Sequence, residues 1–338
     1  MQQQQQEEPV ESKKRKDRDD EEEDGDTDDG GGKRQKAAGD KAVKKQKKPI
    51  ALAKIEHDIK IPETEWLMRM QPIMPYINIV LSIHEMGIKD ARFHVSSEGF
   101  SIKGMDSAHV AHFTASLPAV SFTRCECESE DGCSIGFNVT SVARLCKSIL
   151  TYNKGGQMSM YRKQGDKSPG FHLVLQMENR IDRFFLHELN MDSEEYNIPM
   201  PAVSDCVVTM PGRVFKQHTD DLKKMEADVV HLRASANAGL ICHVPSDTGI
   251  VSSYTRQIPI GDGVSVVINN ELKDAVRLSA KQLHTFTRVG FDDQNVELHM
   301  SNDEPFQIVC PLDDKGGVKR YTLCPKIREV DESSTPDM

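Results

Sequence analysis

The sequence lacks long apolar runs. None of its 338 residues belongs to a stretch approaching the ~20 consecutive apolar positions of a bilayer-spanning helix. Met1 to Gln6 has no apolar core, so secretion is not expected. Cysteine is sparse, with eight residues placed singly apart from Cys125, Cys127 and Cys133. In a chain that is not secreted these read as reduced thiols. Cys125 and Cys127 stand two apart on a strand-like stretch and face the same side. Structural zinc needs wider Cys pairs and two further ligands nearby, so buried or half-buried thiols are expected instead of a metal site.

Catalytic signatures are absent too. There is no Walker loop, no G-x-S-x-G, no H-E-x-x-H and no dinucleotide fingerprint. Asp106 with His109 comes nearest to an acid–base pair. No nucleophile or oxyanion donor flanks it, so polarity of a turn is the better reading. Glu126, Glu128, Glu130 and Asp131 read as the charged end of a strand and a hairpin loop, not as nuclease carboxylates. No catalytic residue, cofactor or metal is expected.

What is present begins with charge, unevenly placed. The net charge is −10, which by itself argues against nucleic acid. Placement decides whether a field reaches DNA, however. Residues 1–60 are of low complexity: glutamines, Lys13-Lys-Arg-Lys16, an acidic run from Asp17 to Asp29, and a stretch from Lys33 to Lys48 holding eight basic residues. Too few large apolar residues stand there to offset ordering entropy, so a disordered extension is expected. Lys13 to Lys16 is similar to a nuclear localisation patch and equally fits a solvated charge run. The second basic stretch could contact phosphates. The nearby acidic run favours an import signal or a solubilising tail.

Periodicity then places a strand at Trp66–Met70 and a helix between Pro72 and Gly87, with Ile77, Val80, Leu81 and His84 on one face. Five strands follow, at 91–95, 100–103, 110–117, 122–127 and 134–139. A helix runs over 140–150 with Thr140 or Ser141 as N-cap. Strands at 157–162, 171–177 and 183–189 complete the first unit. Residues 190–202 break all periodicity and read as a linker. The plan then restarts. A strand at 206–210 leads to a helix from Pro211 to Met225, striped by Phe215, His218, Leu222 and Met225. Strands at 228–234, 239–244, 250–255 and 264–269 precede a helix at 279–289. Strands at 296–300, 306–311 and 319–324 end it. Two copies of one plan are expected, not a solenoid.

Basic residues recur at helical spacing. Arg144 and Lys147 share one helix face, and so do Lys281, His284 and Arg288, with Leu283 and Phe286 opposite. On spacing alone these are solvated faces. The string Gly99-Phe-Ser-Ile-Lys-Gly-Met-Asp-Ser-Ala-His-Val110 adds more, with Gly136-Phe-Asn-Val-Thr-Ser141, Asn197-Ile-Pro199, Val207-Val-Thr-Met-Pro211 and Leu323-Cys-Pro-Lys-Ile327. Together these resemble the proliferating cell nuclear antigen family, the eukaryotic-type sliding clamps, over roughly residues 64 to 330.

The resemblance implies an α+β clamp fold. Two similar domains, 64–190 and 203–330, each carry antiparallel sheets outside and two helices inside. A connecting loop over 191–202 joins them, and a short tail spans 331–338. Three copies are implied to form a six-domain ring around duplex DNA, bound without regard to sequence. Arg144, Lys147, Lys216, Lys223, Lys281 and Arg288 match basic positions lining the hole. Met105, His109, Val110, Tyr196, Ile198, Pro199, Pro305, Cys324, Pro325, Lys326 and Ile327 match a groove for partner peptides. Phe185, His187, Val251 and Ser253 match subunit edges. DNA polymerase and other proteins with a clamp-binding peptide, an ATP-dependent clamp loader, a nuclear location and no catalysis or membrane are implied. A checkpoint-type heterotrimer subunit stays open, and a DNA-processing enzyme less so. The pattern also departs from the family. Asn78, Ile79 and Glu85 stand where relatives carry lysines, and Gln217 and Asp220 where they carry arginines. A loop lysine used for ubiquitin attachment is replaced near Asn237.

Overall fold

Alternation sets the strands, and β2 (Asp90–Ser96) shows how. Ala91, Phe93 and Val95 are buried while the residues between them are not. The computed structural model describes residues 61–152, 156–177, 180–191, 203–245, 253–292, 294–302 and 304–326. The expectations for residues 1–60, for 192–202, for Val251, for Ile327 and for 331–338 fall outside the described residues.

The first half runs β1 (Thr64–Met70), α1 (Met74–Glu85), β2, β3 (Gly99–Met105), β4 (Ala111–Pro118), β5 (Arg124–Cys127), β6 (Cys133–Asn138), α2 (Val139–Tyr152), β7 (Gln157–Lys163), β8 (Gly170–Met177) and β9 (Arg180–His187). The second runs β10 (Cys206–Pro211), α3 (Gly212–Lys224), β11 (Val229–Ser235), β12 (Gly239–Pro245), β13 (Ser253–Ile258), β14 (Ser265–Ile268), β15 (Val276–Ser279), α4 (Ala280–Thr287), β16 (Asn295–Met300), β17 (Phe306–Pro311) and β18 (Val318–Leu323). Each half is strand, helix, five strands, helix, three strands.

The sequence reading holds for most elements and needs four corrections. It missed β15, whose four residues run straight into α4. It ended β13 at Thr255, whereas pairing with β12 continues to Ile258. The cap of α2 is neither Thr140 nor Ser141. Asn138 Oδ1 accepts the Ser141 amide at 2.9 Å, which satisfies one of the donors a helix start leaves open. Lastly, α1 is not buried on one stripe only. Tyr76, Ile77, Ile79, Val80, Leu81 and Ile83 are all buried, because α2 packs on one side of α1 and α4 on another. The stripe of α3 keeps Phe215, His218 and Leu222 inside but leaves Met225, beyond its last turn, 39% exposed.

Three antiparallel sheets result, in the orders β5-β1-β7-β8-β9, β14-β10-β16-β17-β18-β4-β3-β2-β6 and β13-β12-β11-β15. The nine-stranded sheet crosses from one half to the other through β4 and β18, paired from Ser116↔Val318 to Ala111↔Leu323. Beneath that joint Tyr321 lies edge-on to Phe113 at 5.2 Å and stacks on Phe286 at 4.8 Å. Gly99 turns the β3 chain back sharply, at φ +139°, where a Cβ would sit 2.2 Å from the Leu117 carbonyl.

A lysine is buried at this joint. Lys319 of β18 is 0% exposed. Its Nζ donates to Val289 O at 2.7 Å and to Ser82 Oγ of α1 at 3.2 Å, over the rings of Phe291 and Tyr321. It thus ties β18 to helix α1 of the other half. Burial pulls its ammonium from 10.5 down to about 8. The unfolded state then holds more protons between the two values, so stability rises with pH through that window. Lys319→Met lacks this term. The unfolding free energy of wild type relative to Lys319→Met should gain about 3 kcal/mol between about pH 7 and about pH 10.5 in urea titrations. A gap that stays flat across that range contradicts the assignment.

Candidate nucleic-acid interface and partner groove

The four helices touch in the series α2–α1–α4–α3. On α2, Arg144 and Lys147 are exposed while Val142, Ala143 and Cys146 are buried. On α4, Lys281 is exposed, Arg288 just past its end is exposed too, and Leu283 and Phe286 face the core. Lys216 is half-buried and Lys223 exposed on α3. All six basic residues singled out from the sequence therefore stand on the described helix layer.

Three of the six already have carboxylates. Glu85, at the end of α1, lies 3.7 Å from Lys147 Nζ and also pairs with Arg288. It draws together α1, α2 and the end of α4, with its side chain only 14% exposed. Lys216 Nζ sits 2.9 and 3.0 Å from the two oxygens of Asp292. His284 Nε2 lies 3.3 Å from Asp220, and burial, with Lys223 and Arg288 nearby, holds its ring below the usual histidine range. Lys147 and Arg288 are themselves more than half exposed, so their pairs with Glu85 face solvent on the cation side. Sequence reasoning marked Glu85 and Asp220 as departures but had no signal for whom they pair with, since the partners lie far along the chain. Ile79 is corrected: it is 0% exposed, so it is a core position and not a lost surface cation.

The groove residues gather at one end of the nine-stranded sheet. Met105 ends β3, and His109 and Val110 lie in the turn before β4. Asp106 organises that turn, its Oδ1 accepting the amides of Val110 at 2.9 Å and Ala111 at 2.8 Å. His109 takes φ +57° there. Asp106 and His109 are thus a turn, as read from the sequence. The Cys324 amide donates to Val110 O at 3.0 Å and carries the β4–β18 ladder one step further, and Pro305 immediately precedes β17 beside it. Val110 is 37% exposed and Pro325 half-buried. Tyr196, Ile198, Pro199 and Ile327 lie outside the described residues, so only one wall of the groove is described.

Three of the four residues matched to subunit edges are described. Phe185, 36% exposed, and His187 lie on β9, and Ser253 opens β13. Asn237 occupies the exposed β11–β12 turn, so no amine stands there. Cys125 and Cys127 are half-buried. Their thiols donate to Ser96 O at 3.5 Å and Val95 O at 3.7 Å, and burial pushes the Cys125 thiol up. Among the described residues no group of three His, Cys, Asp or Glu is placed to hold a metal ion.

Comparison with known proteins agrees with this geometry. The family model of the proliferating cell nuclear antigen N-terminal domain matches residues 76–196, and that of the C-terminal domain matches residues 200–326. The crystal structure of proliferating cellular nuclear antigen from Entamoeba histolytica is similar at a TM-score of 0.67 and 18% identity. It covers 78% of this chain and 100% of that one. At such identity the likeness speaks for the fold. With both domain models matched in tandem over well over half its length, the chain belongs to the proliferating cell nuclear antigen family and has the clamp fold.

Proposed function

We propose that this chain is a sliding clamp: three copies close head to tail around duplex DNA and hold replication and repair enzymes beside it. One observation carries the reading. The two halves repeat element for element, so β18 corresponds to β9 and β4 corresponds to β13. Within the chain β18 pairs with β4. Their counterparts β9 and β13 are each the end strand of a sheet among the described residues. Pairing β9 of one copy with β13 of the next repeats the internal joint between molecules. A heterologous contact of this kind closes a ring when the rotation fits. The domains span 64–190 and 203–330, with 191–202 connecting them.

The clamp is a tether, not an enzyme. It raises the local concentration of a bound partner, so a released enzyme rebinds before it escapes. The groove at Met105, Val110, Pro305 and Cys324, completed by Tyr196, Ile198, Pro199 and Ile327, takes a short peptide with aromatic anchors. Loading onto DNA falls to a separate ATP-driven loader. Residues 1–60 serve as a nuclear import and solubilising extension.

The ring is tested by mass. Wild type should run at three times the 37.9 kDa chain mass, and Phe185→Pro and Ser253→Pro should run as monomers, because proline removes ladder hydrogen bonds. Trimers of both variants at micromolar concentration refute the edge assignment. A wild-type monomer that grows only with co-expressed different partners marks the checkpoint-type alternative. The groove is tested by Ile198→Ser, which should weaken a clamp-binding peptide about tenfold or more in calorimetry and leave the mass unchanged. The helix layer is tested by Glu85→Gln. Releasing Lys147 and Arg288 should strengthen duplex binding and steepen its salt slope by about 1–2. An unchanged slope removes those two cations from the DNA-facing set.

A further inference from the structure

The sheet β13-β12-β11-β15 has one face in the core and one turned away from it. Val230, Leu232, Leu240, Cys242, Val276 and Leu278 are buried on the first. The second carries a row across four strands. Arg277 of β15 lies opposite His231 of β11, which lies opposite His243 of β12, which lies opposite Thr255 of β13. One step along the same face, Arg233 of β11 pairs with Ile241 of β12. His231, Arg233, Ile241, His243 and Arg277, with Asp274 and Ala275, line a concavity of about 330 Å³. It is a cationic hollow on a chain whose net charge is −10.

The donors come in a form that suits one chemistry. Two guanidinium forks from neighbouring strands and two imidazole rings, 5.8 Å apart between centroids, open into one space. A carboxylate offers two oxygens in a plane and is served by one fork. A phosphate monoester offers three charged oxygens and takes bidentate pairs from several sides. Asp274 also lines the hollow and offsets part of the charge, and the two arginines supply the forked donors. The His243 Nδ1 lies 3.0 Å from Thr255 Oγ1, so this ring is held in place from β13. His231, His243 and Asp274 do not form a metal-holding group. DNA held by the helix layer is not a candidate occupant, since the hollow lies on the far side of the sheet from the core.

We infer that this hollow is a binding site for a phosphoryl group, gripped by Arg233 and Arg277 and flanked by His231 and His243. It adjoins both the groove and the ring edge, since the Lys326 amide donates to Arg277 O at 2.8 Å and Thr255 belongs to β13. Burial first, then the nearby Arg277 and His243, lowers the pKa of His231. A bound dianion relieves that repulsion, so binding takes up a proton. The groups around His231 are Arg277 on β15, His243 on β12, Arg233 on its own strand and Asp274, which lines the same hollow.

The experiment is calorimetry on the full chain in chloride buffer, with inorganic phosphate, a phosphoserine peptide and the same peptide without phosphate. Phosphate-bearing ligands should bind, and the peptide without phosphate should not. Arg233→Gln and Arg277→Gln should each weaken binding about tenfold, and Arg277→Lys should not restore it, since lysine lacks the fork. Lys315→Gln, on an exposed loop, should change nothing. Equal affinity for phosphate and phosphopeptide assigns a small-anion ligand, and a tighter phosphopeptide assigns a phosphorylated protein. Thermal midpoints report folding of each variant, and Arg233→Gln alone, at an exposed side chain, stands in if Arg277 variants unfold. No heat from either phosphate-bearing ligand overturns the site. So does equal affinity for the unphosphorylated peptide, or unchanged affinity in both folded Gln variants.

Discussion

The pairing of β4 with β18 is the contact on which the structure depends. It turns two half-sheets into one nine-stranded sheet and seals the seam with Phe113, Tyr321 and Phe286. Lys319 reaches across the same seam to Ser82, so the halves share a buried polar contact as well as a ladder. A buried charge adds little net stability over an apolar side chain, but leaving its partners unmet is costly. The joint therefore fixes one geometry between the halves. That geometry, reproduced between copies at the counterpart edges, is what the ring reading uses.

The charge pattern gives such a ring its character. Glu85, Asp292 and Asp220 answer cations on the helix layer, and among the described residues Arg144, Lys223 and Lys281 of the selected six form no ion pair. Affinity for phosphates grows with the number neutralised, so in the proposed ring this layer would grip DNA lightly. A light grip suits a molecule that must slide, provided something other than affinity keeps it on the DNA. In the proposed ring, topological closure supplies that. Contacts to phosphates position without reading sequence.

Much of this was legible in the sequence, and the misses have physical causes. Alternation and helical spacing located nearly every element, because one face of each is buried. The strand β15 is too short for alternation to register, yet the internal repeat called for it, since β6 precedes α2 at the same point in the first half. The Asp106 turn was readable because its hydrogen bonds are local. Glu85 with Arg288, Lys319 with Ser82, and the His231–Arg277 row were not, since each joins residues distant in the chain. The buried surroundings of Ile79 were hidden for a related reason. Only packing of α2 and α4 against α1 decides that the helix is enclosed.

The central claim is that retention comes from encirclement and not from grip. The direct measurement uses a linear duplex whose ends are either left open or blocked by bulky groups after the protein has threaded on. Retention is then read at high salt, where phosphate contacts are screened. The account expects the protein to stay on the blocked duplex and to leave the open one quickly. Equal loss from both contradicts it.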